Sequence, residues 1–390
     1  MGKMSLLLLL RCLIILACMK ISAQAGISLS SSAVVQTTLE TQEGWRHSLP
    51  VELRDKQGAP LHRLIIKPRA WSKSYPGNVT VTVYLLGTSH VSRTSCQDAE
   101  LLIDYVRPDC LFVELCSQRV GLLLPPPEAP SEGSDETQTR NKQQQHGMSP
   151  ISHKSATMFA KIQNDYASKL NVTIGGEFKA AFQSALRQQR EFWDSQQSYH
   201  LIPPNVNNGM GHSRANRPCA IVLGDRPVRI TMLRAWESLR LFGKIKLVLA
   251  LIWSSIKQPS EKELREWMES VLNDRTGNSD LMKKAMDEMA KSFPTLKRVI
   301  IDERDDFMVA KIKQTAEMLA YSTSHNEERV IVAVIGAGHC SGVLDKLQLS
   351  QQPEEILPSI THTKRNVADD FEGSDVVQFD YAYAIETGMI

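Results

Sequence analysis

Val79-Thr80-Val81-Thr82-Val83-Tyr84-Leu85-Leu86 runs directly into Gly87-Thr88-Ser89-His90, and far along the chain Val330-Ile331-Val332-Ala333-Val334-Ile335 runs into Gly336-Ala337-Gly338-His339 in the same way. Both apolar runs are too short for helices, are rich in β-branched residues and show no sustained polar alternation. That is the pattern of strands buried on both faces. Two more runs of this kind lie between them, at 110–115 and 219–223. Helical patterns fill the gaps at 95–106, 156–170, 177–189, 229–256, 261–272, 280–292 and 295–320. Strands alternating with helices predict the α/β class, with a central, mainly parallel sheet covered by helices.

The surrounding chain divides by composition. Residues 125–155 open on Pro125-Pro126-Pro127 and continue in Glu, Ser, Gly, Asp, Thr, Asn and Gln. Such a stretch buries too little apolar surface to offset its ordering entropy, so a disordered insert is expected there. Residues 204–217, rich in Asn, Gly and Pro, read as a second loop. The expected organisation is a leader or anchor over 1–24, an N-terminal extension without sustained period over 25–75, one domain with a helical insertion over 76–350, and a polar tail over 351–390. With 42% hydrophobic and 23% charged residues the chain is globular in composition. Lys plus Arg at 45 against Asp plus Glu at 43 leaves +2, which excludes a field built for nucleic acid. Seven cysteines, with no C-x-x-C and no close Cys/His cluster, give neither a disulfide framework nor a zinc finger.

Ligands of open α/β sheets bind outside the carboxyl ends of the strands. The Gly-x-x-His endings therefore bring His90 and His339 toward one place, together with Glu114 near the end of the second run and Asp225-Arg226 after the third. A lone Gly-x-x-His is usually a capped turn or a packed ring; the same ending after two buried strands favours a site. Two neutral imidazoles with one or two carboxylates suit a divalent transition metal, Mn, Co or Zn, with positions left for water. Such an ion lowers the pKa of water, and a carboxylate beside it takes the proton.

The same residues carry a family resemblance. Leu86-Gly87-Thr88-Ser89-His90-Val91-Ser92, Pro108-Asp109 with Val113-Glu114-Leu115-Cys116-Ser117-Gln118-Arg119, Gly176-Glu177-Phe178, Leu223-Gly224-Asp225-Arg226, Glu303-Arg304-Asp305 and Gly336-Ala337-Gly338-His339 resemble, in order and spacing, the successive motifs of the TraB/PrgY family. The resemblance covers about residues 79–345. It implies a fold similar to erythromycin-esterase-like and ChaN-like domains. It also implies kinship with the Tiki metalloproteases, which share paired Gly-x-x-His motifs, and, through bacterial members tied to shutting down peptide pheromones, peptide or protein as substrate. Position by position, His90 and His339 match the paired histidines, Glu114 and Glu177 the acidic positions, and Arg226 and Arg304 the basic positions that would stabilise developing negative charge. Glu177 also has a plainer reading, a carboxylate at a helix N-terminus. Glu303 and Asp305, two apart on a helix, are not expected to face one site together, and the resemblance alone then favours Arg304. The chain departs from simpler members by its insert and by an expected lack of a C-terminal anchor.

Other readings compete. Gly336-x-Gly338-x-x-x-Gly342 follows a strand, but its third glycine is one place late for a dinucleotide fold. Ser89 and Cys340 flank the histidines without forming a nucleophile arrangement. The stretch Leu241–Ile256, apolar with Lys244 and Lys246, reads first as a core or interface helix and second as one lying on a membrane. With the apolar leader and the insert, it supports an alternative function: a membrane-associated tethering or regulatory protein whose domain is not catalytic. An apolar block split by Arg11, and no acidic residue in the first 39, favour an organellar address over a secretory signal. Membrane association is expected, with the mitochondrion first on the resemblance and the secretory pathway second, where Asn78 and Asn171 would accept glycans.

Overall fold

The computed structural model describes residues 36–39, 42–54, 61–67, 79–88, 93–123, 175–199, 217–256, 290–321, 328–349 and 352–363. The leader, the 125–155 insert, the helical patterns at 156–170 and 261–272, and nearly all of 204–217 and 280–292 lie outside the described residues.

The expected α/β fold is observed. Six described strands, β1 (Gln36–Leu39), β2 (Leu61–Lys67), β3 (Val81–Thr88), β4 (Cys110–Val113), β5 (Ala220–Leu223) and β6 (Arg329–Gly336), form one sheet in the order β1-β2-β3-β6-β4-β5. β3, β6, β4 and β5 run parallel, and β2 and β1 add antiparallel at the β3 edge. Two strands thus come from the stretch read as an aperiodic extension. β2 buries Leu61, Leu64 and Ile66 between partly exposed residues, a short half-buried pattern that a longer window averages away.

Both faces of the parallel strands are covered, and successive residues serve different faces. Val330, Val332 and Val334 of β6 join one core with α1 (Arg93–Val106) and α2 (Gly176–Tyr199), through Ala99, Leu102, Ile103, Phe178 and Phe182. Ile331, Ala333 and Ile335 join the other, with Met308, Val309 and Ile312 of α5 (Glu303–Tyr321) and Val343, Leu344 and Leu347 of α6 (Ala337–Leu347). Each large aliphatic side chain so buried contributes about 1.5–3 kcal/mol, which is why aliphatic residues dominate both faces. Phe112 of β4 reaches Gly224 beyond β5, where a Cβ would sit 1.8 Å from its ring tip. The polar tail opens on a helix, α7 (Pro353–Thr361), packed on α5.

Two further helices, α3 (Val228–Ser238) and α4 (Leu241–Ile256), follow β5, and a wider π turn, Arg298–Asp302, leads into α5. Cys110, Cys219 and Cys340 are buried free thiols whose pKa values burial pushes up, that of Cys219 to about 12.

Candidate functional site

β4, β6 and β3 end side by side, with Val113 opposite Val334 and Thr88 opposite Gly336. Glu114, the residue after β4, keeps its backbone N–H on Val334 O and sends its carboxylate across the end of β6, where Oε2 accepts from Gly336 N at 2.6 Å. Gly336 caps α6, so a buried carboxylate meets a helix N-terminus. The backbone there has φ −62° and ψ 137°, open to any residue. The turn at Gly336 therefore does not rest on glycine's conformational freedom.

His339 stands in the first turn of α6. Its Nδ1 is 2.5 Å from Asp305 Oδ1, and its Nε2 is 3.2 Å from Arg304 Nη1 and 3.4 Å from Glu114 Oε1. A guanidinium only donates. Nε2 is therefore the acceptor, and Nδ1 carries the proton donated to Asp305, a tautomer assigned from the partners. Burial pushes the Asp305 carboxyl above its ordinary pKa, opposed by its bond to His339. Space for Asp305 comes from Gly342, one turn along α6: a Cβ there would lie 2.1 Å from Oδ2. That third glycine of the dinucleotide-like pattern thus has a packing role.

Arg304 ties the group together. Its Nε and Nη2 grip Asp225 Oδ1 and Oδ2, both at 2.9 Å, and Nη2 also donates to Glu114 Oε1 at 2.5 Å. Arg119 bonds the same Asp225 carboxylate and donates to Glu114 O at 3.1 Å. Burial alone would lower the Arg304 pKa, but the charges of Asp225 and Glu114 override it and hold the group firmly charged.

Three of the expected residues, Glu114, His339 and Arg304, are therefore in mutual contact. Arg226 is elsewhere. It is fully buried and gives Nε to Thr231 Oγ1 at 3.0 Å, Nη1 to Glu303 Oε2 at 2.8 Å and Ile360 O at 2.9 Å, and Nη2 to Val299 O at 2.6 Å. Glu177 heads α2, buried, on the other face of the sheet from α5 and α6; its charge adds to the burial that raises the Cys96 thiol of α1. His90 lies two residues past Thr88, outside the described residues. Glu303 and Asp305 do diverge, as the helix spacing requires, but Asp305 is the one that meets His339. Asp305 and Arg119 are site residues that the residue-by-residue reading passed over, although both stand within the quoted motifs. Among the described residues no group of three or more His, Cys, Asp or Glu side chains is arranged to hold a metal.

Comparison with known proteins gives a consistent outcome. Residues 71–352 match the TraB/PrgY/gumN family. A TraB domain-containing protein of Bos taurus is 30% identical over 284 residues, covering 70% of this chain and 65% of the relative. One of Mus musculus is 28% identical over 299 residues, covering 73% and 69%. An uncharacterised protein of Methanocaldococcus jannaschii is 25% identical over 274 residues, covering 70% and 55%. The chain thus spans just under two thirds of the length of the bovine relative.

Proposed function

The chain belongs to the TraB/PrgY/gumN family, and on that premise we propose that it is a metal-dependent hydrolase acting on peptide bonds. The observation that supports this reading most is the tautomer of His339. With Nδ1–H given to Asp305, Nε2 is left with a lone pair and lies 3.4 Å from Glu114 Oε1, so a nitrogen and an oxygen donor stand side by side, the imidazole held by a carboxylate behind it. An imidazole nitrogen and a carboxylate oxygen suit Mn, Co or Zn. His90, two residues beyond β3 in the sequence, would be the third donor. Arg304 Nη1 faces the same lone pair, so ligation requires it to leave Nε2.

The chemistry such an ion supplies is Lewis-acid polarisation of a carbonyl. Glu114 would accept the proton of the attacking water. Arg304, always charged and fixed by Asp225, would hold the developing oxyanion. Burial excludes bulk water and strengthens each of these contacts. Metal analysis of the purified wild type should find one Mn, Co or Zn per chain, lost in His90→Ala and His339→Ala; equal metal in all three would overturn the reading.

One observation favours a second reading: Arg304 already satisfies both Glu114 and His339, as a purely structural cluster would. In that case the domain serves a tethering or regulatory role. A folded His90→Ala/His339→Ala protein would then restore the phenotype of a null cell, and under the hydrolase reading it would not. The setting we propose for either is a mitochondrial membrane. A glycosidase-sensitive mobility shift dependent on Asn78 or Asn171 would overturn that address and leave the hydrolase reading standing.

A further inference from the structure

The helix α4 is apolar on the wrong side for a core helix. Phe242 is 84% exposed, Leu241 70% and Leu249 60%, and Ile245 and Val248 are exposed as well. At about 100° per residue these five side chains fall within one arc of about 120°. The inward side is carried by Leu247, which packs against the cluster of Leu239, Leu296 and Val299, and by Gly243, which lies against Leu239. Large side chains thus point out and a glycine points in, the reverse of a helix whose stability comes from packing on its own domain.

Cations border this arc on both sides. Lys244 and Lys246 each project about 40° beyond one of its edges. Lys244 Nζ lies 5.1 Å from the Trp236 ring centroid, and Lys246 Nζ lies 4.7 Å from that of Phe293 and donates to Ser292 O at 3.1 Å. From 238 through 260 the chain carries Arg240, Lys244, Lys246 and Lys257 and no acidic residue. An apolar strip flanked by one ammonium group on each side is complementary to a surface with an apolar interior and an anionic rim. The helix has 16 residues, against about 20 needed to cross a bilayer. No helix among the described residues is long and apolar enough to cross one.

We infer that the outer face of α4 docks in the plane of an anionic phospholipid bilayer, with Leu241, Phe242, Ile245, Val248 and Leu249 among the acyl chains and Lys244 and Lys246 at the headgroups. The inference does not rest on the hydrolase reading. Its test is flotation of the full-length protein with phosphatidylcholine vesicles, with and without phosphatidylserine, at low and high salt. Wild type should float with the anionic vesicles and lose binding as salt rises. Phe242→Glu/Leu249→Glu, both at exposed positions, should bind at least tenfold more weakly with an unchanged melting temperature. Lys244→Gln/Lys246→Gln should abolish the preference for anionic lipid while retaining part of the binding to neutral vesicles. Binding by Phe242→Glu/Leu249→Glu equal to wild type would overturn the inference by showing that another segment anchors the protein. So would a wild type that ignores both vesicles while forming a dimer that the same variant dissociates, because a second copy would then be the occupant.

Discussion

The first turn of α5 feeds two buried charge clusters. Around Glu303, Arg226 spends its donors on a hydroxyl, a carboxylate and two backbone carbonyls from four segments of chain, and Arg234 forks the same carboxylate at 2.8 and 3.0 Å. One residue further, the His339 lone pair meets a donor at 3.2 Å, which an incoming group can displace. Both clusters are rich in arginine and carboxylate. What separates a fastening from a site is whether any bonding capacity is left to offer.

That distinction ranks the effects of substitution. Arg226→Met should be the most damaging, because it strands two carbonyls and leaves Glu303 to Arg234; a loss of about 3–5 kcal/mol is expected from the urea midpoint. Asp305→Asn losing as much would break the comparison. Gly342→Ala should follow at about 1–3 kcal/mol, because its methyl drives Asp305 away. Gly338→Ala on the same helix, where a Cβ meets nothing within 4 Å, should be within about 0.5 kcal/mol of wild type.

Asp305→Asn sharpens the other half. It should weaken metal binding by about 10–100-fold with folding retained. The nitrogen-15 shifts of the His339 ring, which report protonated Nδ1 in the metal-free wild type, should move to a tautomer mixture; unchanged shifts would deny Asp305 any part in orienting the ring. The smallest effect is on acid stability. Burial would raise the Glu303 pKa, but its bonds to Arg234 and Arg226 override this and hold it below the ordinary value. Its stabilisation is thus complete above the unfolded carboxyl pKa and lost as pH falls through the depressed folded one. The stability gap between wild type and Glu303→Gln should therefore be flat near neutrality and close below about pH 4 in acid melts.

The parallel strands were legible because β3, β4 and β6 are buried on both faces and apolar residues predominate along them. β1 and β2 were not, since an antiparallel edge takes its pairing from β3, and their four and seven residues carry too little period. In the site, Glu114 and His339 were legible because strand ends dictate position. The choice between Arg226 and Arg304 was not: each follows an acidic residue at the start of a new element, and only the packing of α5 against α6 decides which guanidinium reaches the imidazole. The same packing, through the space at Gly342, brings Asp305 to His339, and no helical spacing on a single element contains it.

The buried thiols turn this architecture into a clock. Only thiolates react with alkylating reagents, and in the native state burial keeps Cys110 in β4 and Cys340 beside His339 protonated and shielded. Each labelling event on Cys340 therefore records an excursion in which α6 lifts from the sheet, whereas Cys110 waits for the central strands to part. The ratio of the two rates measures, without any substrate, how often the site breathes for each time the whole domain comes undone.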